Sequence, residues 1–319
     1  MTETLPSEAS PATHRYLSEQ IALHDLADLG TTAGEALSYD PYSYEWRARI
    51  TISRLRTTLL HIVETALQPN QYREIRNLKN CCRGQRALVL ANGPSQGFLE
   101  HSAIRQFVEL GGSVFVVNYF FQNPGLLDLP RLHFVTSDPG WEEDKLLDVR
   151  SSLQGKDGFV FAPPEHVRMW KNYVNGRQII QFCDRQYRAG GGARRPQLTP
   201  IRPRSYGSMT ALKALAIALW MGFDEVLIAG FDNSYIREIY SNPYNQILTL
   251  ETHANERAVR RNRTRDWDGL ASYLFHIYTV FSDLEQFRSA RVTNLDPYSL
   301  TTVFAKTESI EAANALLRD

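Results

Sequence analysis

Short apolar runs alternate with helical patterns from residue 86 onward, and this alternation constrains the fold more than any other feature of the chain. The runs Ala87–Ala91 and Ser113–Val117 stop at Asn92 and Asn118, and the run EVLIAGF stops at Asp232. Further runs are LHFV before Asp138, Gly158–Ala162, Gln178–Phe182 and ARVTNL. Continuous apolar strands separated by helices are typical of a parallel, doubly wound α/β sheet.

Two regions of different texture divide the 319 residues. Residues 1–80 are expected to form a helical N-terminal extension whose first twelve or so residues are disordered, because they are rich in Ser, Thr, Pro and Glu. Residues 81–319 are expected to form the α/β domain. Within it, residues 233–265 are a long polar connection with six arginines, a pattern typical of a lid.

One helix of the extension has a striped pattern with two interpretations. Its apolar residues recur at a spacing close to 3.6, and they are Trp46, Ile50, Leu55, Leu59, Ile62, Val63 and Ala66. One interpretation is a membrane-surface helix, because four arginines lie along it: Arg47, Arg49, Arg54 and Arg56. The preferred interpretation is a helix that packs its stripe on a core.

Composition excludes several classes of protein. Lys plus Arg equals Asp plus Glu at 35 each, so no overall field attracts nucleic acid, and none is expected as a partner. Three cysteines, two of them adjacent, do not form a disulfide framework, which indicates a reducing cytoplasm. The N-terminus lacks the pattern of a secretory signal. The sequence contains no window of 18 apolar residues, so no transmembrane helix is expected.

Polar residues end several of the predicted strands, and this is the main sign of a small-molecule site. Asn92, Asn118, Asp138 and Asp232 each follow an apolar run. Because ligands of doubly wound sheets bind at the carboxyl ends of the strands, we expect these side chains to line a site.

The turn Asn92-Gly93-Pro94-Ser95 lacks both the G-x-G-x-x-G pattern and the lysine of a P-loop. Gly93 permits a close backbone approach to a phosphate, and Ser95 is a candidate cap of the next helix. Gly207 and Ser208 stand at the start of the helix that ends at Met221, with Ser208 as its candidate N-cap. An ordinary strand-to-helix turn and simple capping are the alternatives.

Candidate catalytic residues lie after the strand that ends at Asp232. Tyr235 and Tyr240 could hold a phosphate, or pack under a loop. His253 is the candidate general base, because an exposed histidine titrates near neutral pH. Asp266-Trp267-Asp268 spells a metal-binding D-x-D motif but is interpreted as helix capping, so no metal is expected.

The ordered set NGPS, VNYFF, YGS, GFDEVLIAGFD and DPYSL resembles the bacterial sialyltransferase family 42 and the related domain of unknown function 115. The resemblance covers roughly residues 72–306. It implies a Rossmann-like catalytic domain that transfers a sugar, such as sialic acid or another nonulosonic acid, from a CMP-linked donor without metal or other cofactor. The implied acceptor is a surface glycan or a protein.

The resemblance also implies roles for residues that match its motifs. Asn92, Gly93, Ser95, Asn118, Gly207, Ser208 and Asp232 would bind the donor nucleotide, and Tyr235, Tyr240 and His253 would serve catalysis. His253 lies further upstream than the family places its histidine. The implied setting is the bacterial cytoplasm, with peripheral contact to the inner membrane and homo-oligomers as open alternatives.

Two other functions fit the same pattern. A pterin diphosphokinase-like enzyme would transfer pyrophosphate from ATP and would need Mg²⁺ held by carboxylates such as Asp138 and Asp232. A non-catalytic nucleotide-binding or scaffold protein would use the N-terminal residues as an interaction region.

Overall fold

The structure is a computed structural model, and statements about it refer to the residues that it describes. These are residues 44–118, 120, 124–126, 128–137, 158–174, 178–187, 199–205, 209–231, 284, 287, 291–299 and 301–319.

The elements follow one another in an alternating order. The described α-helices are α1 (Tyr44–Leu67), α2 (Arg73–Asn77), α3 (His101–Glu109), α4 (Pro164–Tyr173), α5 (Thr210–Met221) and α6 (Ile310–Arg318). The strands are β1 (Arg86–Leu90), β2 (Ser113–Val117), β3 (Leu132–Val135), β4 (Val160–Ala162), β5 (Ile179–Gln181), β6 (Gln186–Tyr187), β7 (Arg204–Ser205), β8 (Glu225–Ala229), β9 (Val292–Asn294) and β10 (Ala305–Lys306). Short 3-10 helices span Pro94–Phe98 and Pro124–Leu126.

Eight of the strands form one sheet in the order β10-β9-β8-β1-β2-β3-β4-β5, and every pair in it is parallel. The chain builds outward from β1 to β5, then crosses to the other side of β1 and continues through β8, β9 and β10. Strands β6 and β7 form a separate parallel pair. The predicted parallel, Rossmann-like doubly wound sheet is confirmed.

Helices cover both faces of this sheet, which explains why its strands are apolar throughout. All five residues of β2 are buried, as are four of the five in β1. One face packs under α2 and α5, and the other packs under α3, α4 and α6. A strand covered on both sides has no solvent-facing positions, so its sequence lacks the alternation of a half-exposed strand.

Two local predictions at helix starts are wrong. The residues after β1 form the 3-10 helix Pro94–Phe98, whose N-cap is Gly93, and Ser95 lies inside it and does not cap it. Helix α5 begins at Thr210 with Met209 as its N-cap, so Ser208 precedes the capping position. The preferred interpretation of α1 is also wrong: Leu55, Leu59, Ile62 and Val63 are more than half exposed and do not pack on a core.

Other expectations concern composition and the ends of the chain. Cys81, Cys82 and Cys183 are free thiols, in agreement with the prediction from their number. Burial, and then the Cys81 thiol 3.4 Å away, raises the pKa of Cys82 to about 12. Among the described helices, none is both long enough and apolar enough to cross a bilayer. The predicted disorder of the first residues lies outside the described part of the chain.

Candidate functional site

The carboxyl edge of the sheet contains the point at which the strand order reverses. Strands β2 and β8 lie on opposite sides of β1, although β2 follows β1 in the chain and β8 comes after the crossover. In a doubly wound sheet a reversal of this kind is where a crevice opens at the carboxyl ends of the strands, here those of β1 and β8. Ligands of open α/β sheets bind in such a crevice.

Backbone groups lock the two sides of this crevice together. The Ala91 N–H donates to Ala229 O at 2.9 Å, and the Gly93 N–H donates to Gly230 O at 3.1 Å. Gly230 has φ +76°, and a Cβ atom built on it would lie 2.2 Å from Ala91 O. Only glycine fits this position.

Ser95 serves this junction and not the helix it was predicted to cap. Its Oγ accepts a hydrogen bond of 2.9 Å from the Gly230 N–H, and the residue is buried. Gly93 has φ −73°, which any residue can adopt. The glycine that the backbone demands is therefore Gly230, which was absent from the predicted site residues.

Asn92 and Asn118 close the neighbouring strands β1 and β2, as their place in the sequence predicted. The Asn92 side chain donates from Nδ2 to Val117 O at 3.0 Å and so ties the two strand ends together. Asn118 has φ +43°, a left-handed conformation that is uncommon outside glycine and is enriched at functional sites.

The Asn118 side chain leads into a largely buried group of polar residues that we name the edge cluster: Asn118, Ser137, Asp184, Thr210 and Lys213. Asn118 Nδ2 donates to Thr210 Oγ1 at 2.9 Å, and the hydroxyls of Thr210 and Ser137 are 2.8 Å apart. Lys213 Nζ donates to Ser137 Oγ at 2.7 Å and to Asp184 Oδ2 at 2.9 Å, and it forms an ion pair with Asp184 Oδ1 at 2.7 Å. The cluster joins the residues that follow β2, β3 and β5 to the first turn of α5.

The two charged side chains of the edge cluster form an ion pair that is almost completely excluded from solvent. The side chains of Lys213 and Asp184 are 5% and 13% exposed. A lysine beside a serine is a known arrangement for activating a nucleophile, but it requires a neutral amine. The adjacent carboxylate stabilises the ammonium form. Lys213 Nζ therefore acts as a hydrogen-bond donor that holds the Ser137 hydroxyl in place.

Sequence reasoning missed Ser137, Asp184, Thr210 and Lys213. A signal for one of them was present, because Lys213 is the single charged residue in the otherwise apolar helix TALKALAIALWM. A lysine on an otherwise apolar, buried helix requires an anionic partner. The identity of that partner could not be inferred from the sequence, since Asp184 lies 29 residues upstream of Lys213 and outside its helix.

Buried acceptors and donors without a partner also occur at this edge. In the described part of the chain they include Gln96 Oε1 after β1, Thr136 Oγ1 after β3 and Asn294 Nδ2 at the end of β9. Buried polar atoms in native proteins are nearly always paired, and exceptions concentrate where a ligand or water completes them. These three atoms lie at the carboxyl edge, whereas others, such as Thr65 Oγ1 and Gln71 Oε1, lie near α1 and α2.

The loop after β9, which contains the DPYSL motif, fixes the end of β8. The hydroxyls of Ser299 and Thr301 donate to Phe231 O at 3.3 and 3.1 Å. Both residues are buried. This motif therefore stabilises the end of β8 next to Gly230, so its contribution to the crevice is indirect.

Several predicted site residues lie outside the described residues: Gly207, Ser208, Asp232, Tyr235, Tyr240 and His253, together with the predicted lid 233–265 and Asp138. Their roles stay predictions. Within the described ranges, no three His, Cys, Asp or Glu side chains are placed to hold a metal ion. A hollow of about 630 Å³ between Glu225, Arg291 and Phe304 lies at the amino edge, opposite the crevice.

Comparison of the chain with protein-family models, curated proteins and solved structures finds no significant match. Function is therefore inferred from the chemistry of the site, because a doubly wound fold by itself hosts many activities.

Proposed function

We propose that the protein is a sialyltransferase-like glycosyltransferase that transfers a sugar from a CMP-linked donor to a glycan or protein acceptor. The observation that carries this proposal is the position of the Asn92-Gly93 turn, which lies directly at the strand-order reversal between β1 and β8. That crevice is where doubly wound sheets bind nucleotides. The ordered sequence motifs supply the choice of a CMP-linked sugar.

The proposal divides the described residues by task. Asn92 and Gly93 border the nucleotide, with the Asn92 amide oriented by its bond to Val117 O. Ser95 and Gly230 hold the two strand ends at the distance that the crevice needs. The edge cluster fixes Asn118 and the start of α5 beside them, so the polar groups are in place before the ligand arrives. Such preorganisation lowers the reorganisation cost of binding and transfer.

In the proposed transfer, the bond between the sugar's anomeric carbon and the donor phosphate breaks, and its electron pair leaves with CMP. The acceptor hydroxyl oxygen bonds to that carbon and loses its proton to a general base. His253 is the candidate base and the tyrosines Tyr235 and Tyr240 are the candidate phosphate ligands, all three on sequence grounds. A general base contributes about 10²–10⁴-fold to such a rate.

The test is a thermal-shift panel of CMP, UDP, GDP and ATP, each with and without Mg²⁺. We expect CMP to raise the melting temperature without Mg²⁺, because a ligand at 100 times its Kd stabilises the fold by about 2.7 kcal/mol. A shift with ATP and Mg²⁺ alone would favour the diphosphokinase alternative. A panel without any shift would favour the non-catalytic alternative.

Two matched variants test where the ligand binds. Asn92→Ala and Ser309→Ala each remove one hydrogen bond, from Asn92 Nδ2 to Val117 O and from Ala312 N–H to the Ser309 cap of α6. Ser309 follows β10, which is three strands away from β1. We expect Asn92→Ala to abolish most of the CMP shift and Ser309→Ala to preserve it. Equal shifts in both variants would remove Asn92 from the site.

A further inference from the structure

Helix α1 has the opposite orientation to an ordinary amphipathic surface helix. Its polar side chains face the body of the protein, and they are Thr57, Thr58, His61, Glu64 and Thr65. Its large apolar side chains face outward, and we name them the outer stripe: Ile52, Leu55, Leu59, Leu60, Ile62, Val63 and Leu67. A surface helix normally does the opposite, because burial of apolar area is what stabilises its packing.

Polar contacts fix this orientation. Arg185 forms a two-pronged ion pair with Glu64, in which Nε donates to Oε2 at 2.8 Å and Nη2 to Oε1. His61 is buried, with its Nδ1 3.7 Å from the Cys183 sulfur and its ring 5.7 Å from that of Tyr72. Rotation of α1 to bury the outer stripe would break these contacts, so the stripe stays outside while they hold.

The outer stripe covers a broad face of the helix. Its seven side chains are 44–76% exposed. At 100° per residue they span an arc of about 160°, which also contains the exposed Arg56 and is wider than the two-position seam of a coiled coil. Extended exposed apolar patches often mark protein or membrane interaction sites.

The segment that carries the outer stripe is basic, and this charge is the argument for an anionic partner. Residues 44–86 carry nine Lys and Arg against three Asp and Glu, a net charge of +6, while the whole chain is neutral. Exposed members of this set are Arg56, Arg73, Arg76, Lys79 and Arg83. A broad apolar stripe in a basic segment is the combination that binds at an anionic bilayer surface, where the acyl chains take the stripe and the headgroups attract the cations.

We propose that α1 docks the protein on the surface of an anionic lipid bilayer through the outer stripe. The polar face of the helix then remains bonded to the body, which holds the sheet next to the membrane. This proposal does not depend on the nucleotide site or on the donor.

The experiment is co-sedimentation of the full chain with two kinds of vesicle. One kind is phosphatidylcholine with about 30% phosphatidylglycerol, and the other is phosphatidylcholine alone. We expect binding to the anionic vesicles, at least tenfold weaker binding to the neutral ones, and loss of binding at high salt. Absence of binding to anionic vesicles, or equal binding to both kinds, overturns the proposal.

Variants distinguish the stripe from general stickiness. Leu55→Gln and Leu59→Gln, singly and together, change stripe residues that are 58% and 60% exposed, so neither should disturb folding. Leu110→Gln is the matched control, since Leu110 is also 58% exposed but follows α3. We expect the double variant to lose at least tenfold in vesicle binding and the control to bind like the parent. Equal losses in the two overturn the proposal.

A second copy of the chain is the competing occupant. Sedimentation equilibrium without lipid measures it directly. A stable parent dimer that the Leu55→Gln, Leu59→Gln variant converts to monomer, in a protein that does not bind vesicles, would overturn the proposal and assign the stripe to self-association.

Discussion

Gly230→Ala should destabilise the fold far more than an equivalent change elsewhere, because it acts at the junction of β1 and β8. The position has φ +76°, and an L-residue in that region costs about 1–2 kcal/mol. The new Cβ would also lie 2.2 Å from Ala91 O and 3.1 Å from Gly93 N. Both atoms belong to backbone that is hydrogen-bonded to β8 or its end, so neither can move alone.

Relief of this contact requires the two strand ends to separate. That separation breaks the bond from Gly93 N–H to Gly230 O and the bond from Gly230 N–H to Ser95 Oγ. Each is worth about 0.5–1.5 kcal/mol, and together with the backbone strain they give a total of about 2–5 kcal/mol.

Gly84→Ala is the matched control. Gly84 has φ +77°, and an added Cβ would have no atom within 4 Å. It therefore carries the cost of the left-handed backbone, about 1–2 kcal/mol, without the contact. The measurement is the free energy of unfolding in urea, compared at equal slopes so that only stability has changed.

We expect Gly230→Ala to lose about 1–3 kcal/mol more than Gly84→Ala, the worth of the two broken hydrogen bonds. If the two variants agree within about 0.5 kcal/mol, which is the ordinary scatter of surface substitutions, the close approach of the strand ends described above is refuted.

Two further predictions concern buried polar groups. Lys213→Met should destabilise the protein by about 3 kcal/mol or more, because it leaves Asp184 buried without its cation. Adding Asp184→Asn should recover part of that loss in urea unfolding, and a double variant no better than the single one would contradict the pairing. Burial lowers the pKa of His61 below its usual 6.5, so the folded state disfavours its protonated form. The free energy of unfolding should therefore fall as the pH drops below about 6.5, and His61→Gln should flatten that slope; an unchanged slope would exclude His61 as its source.

Features that depend on neighbouring residues in the chain were predictable from sequence. The apolar runs of β1 and β2 and their ends at Asn92 and Asn118 were placed correctly, because a buried strand and its terminating turn are both written locally. The alternation with helices also gave the parallel sheet, since parallel neighbours need a crossover.

Contacts between distant residues required the tertiary structure. Ser137 and Asp184 lie 76 and 29 residues from Lys213, and nothing in the spacing indicates that they meet. The bond from Gly230 N–H to Ser95 Oγ spans 135 residues, and it replaced the local capping role that the sequence favoured.

Helix α1 separates the two kinds of information most clearly. Its periodicity determined that Leu55, Leu59 and Ile62 share one face, because the helical repeat alone sets which side chains are neighbours. Which way that face points depended on the ion pair of Glu64 with Arg185, two residues that the fold brings together across 121 positions. A repeat fixes angles within a helix, whereas only contacts with other elements fix its rotation relative to the rest of the molecule.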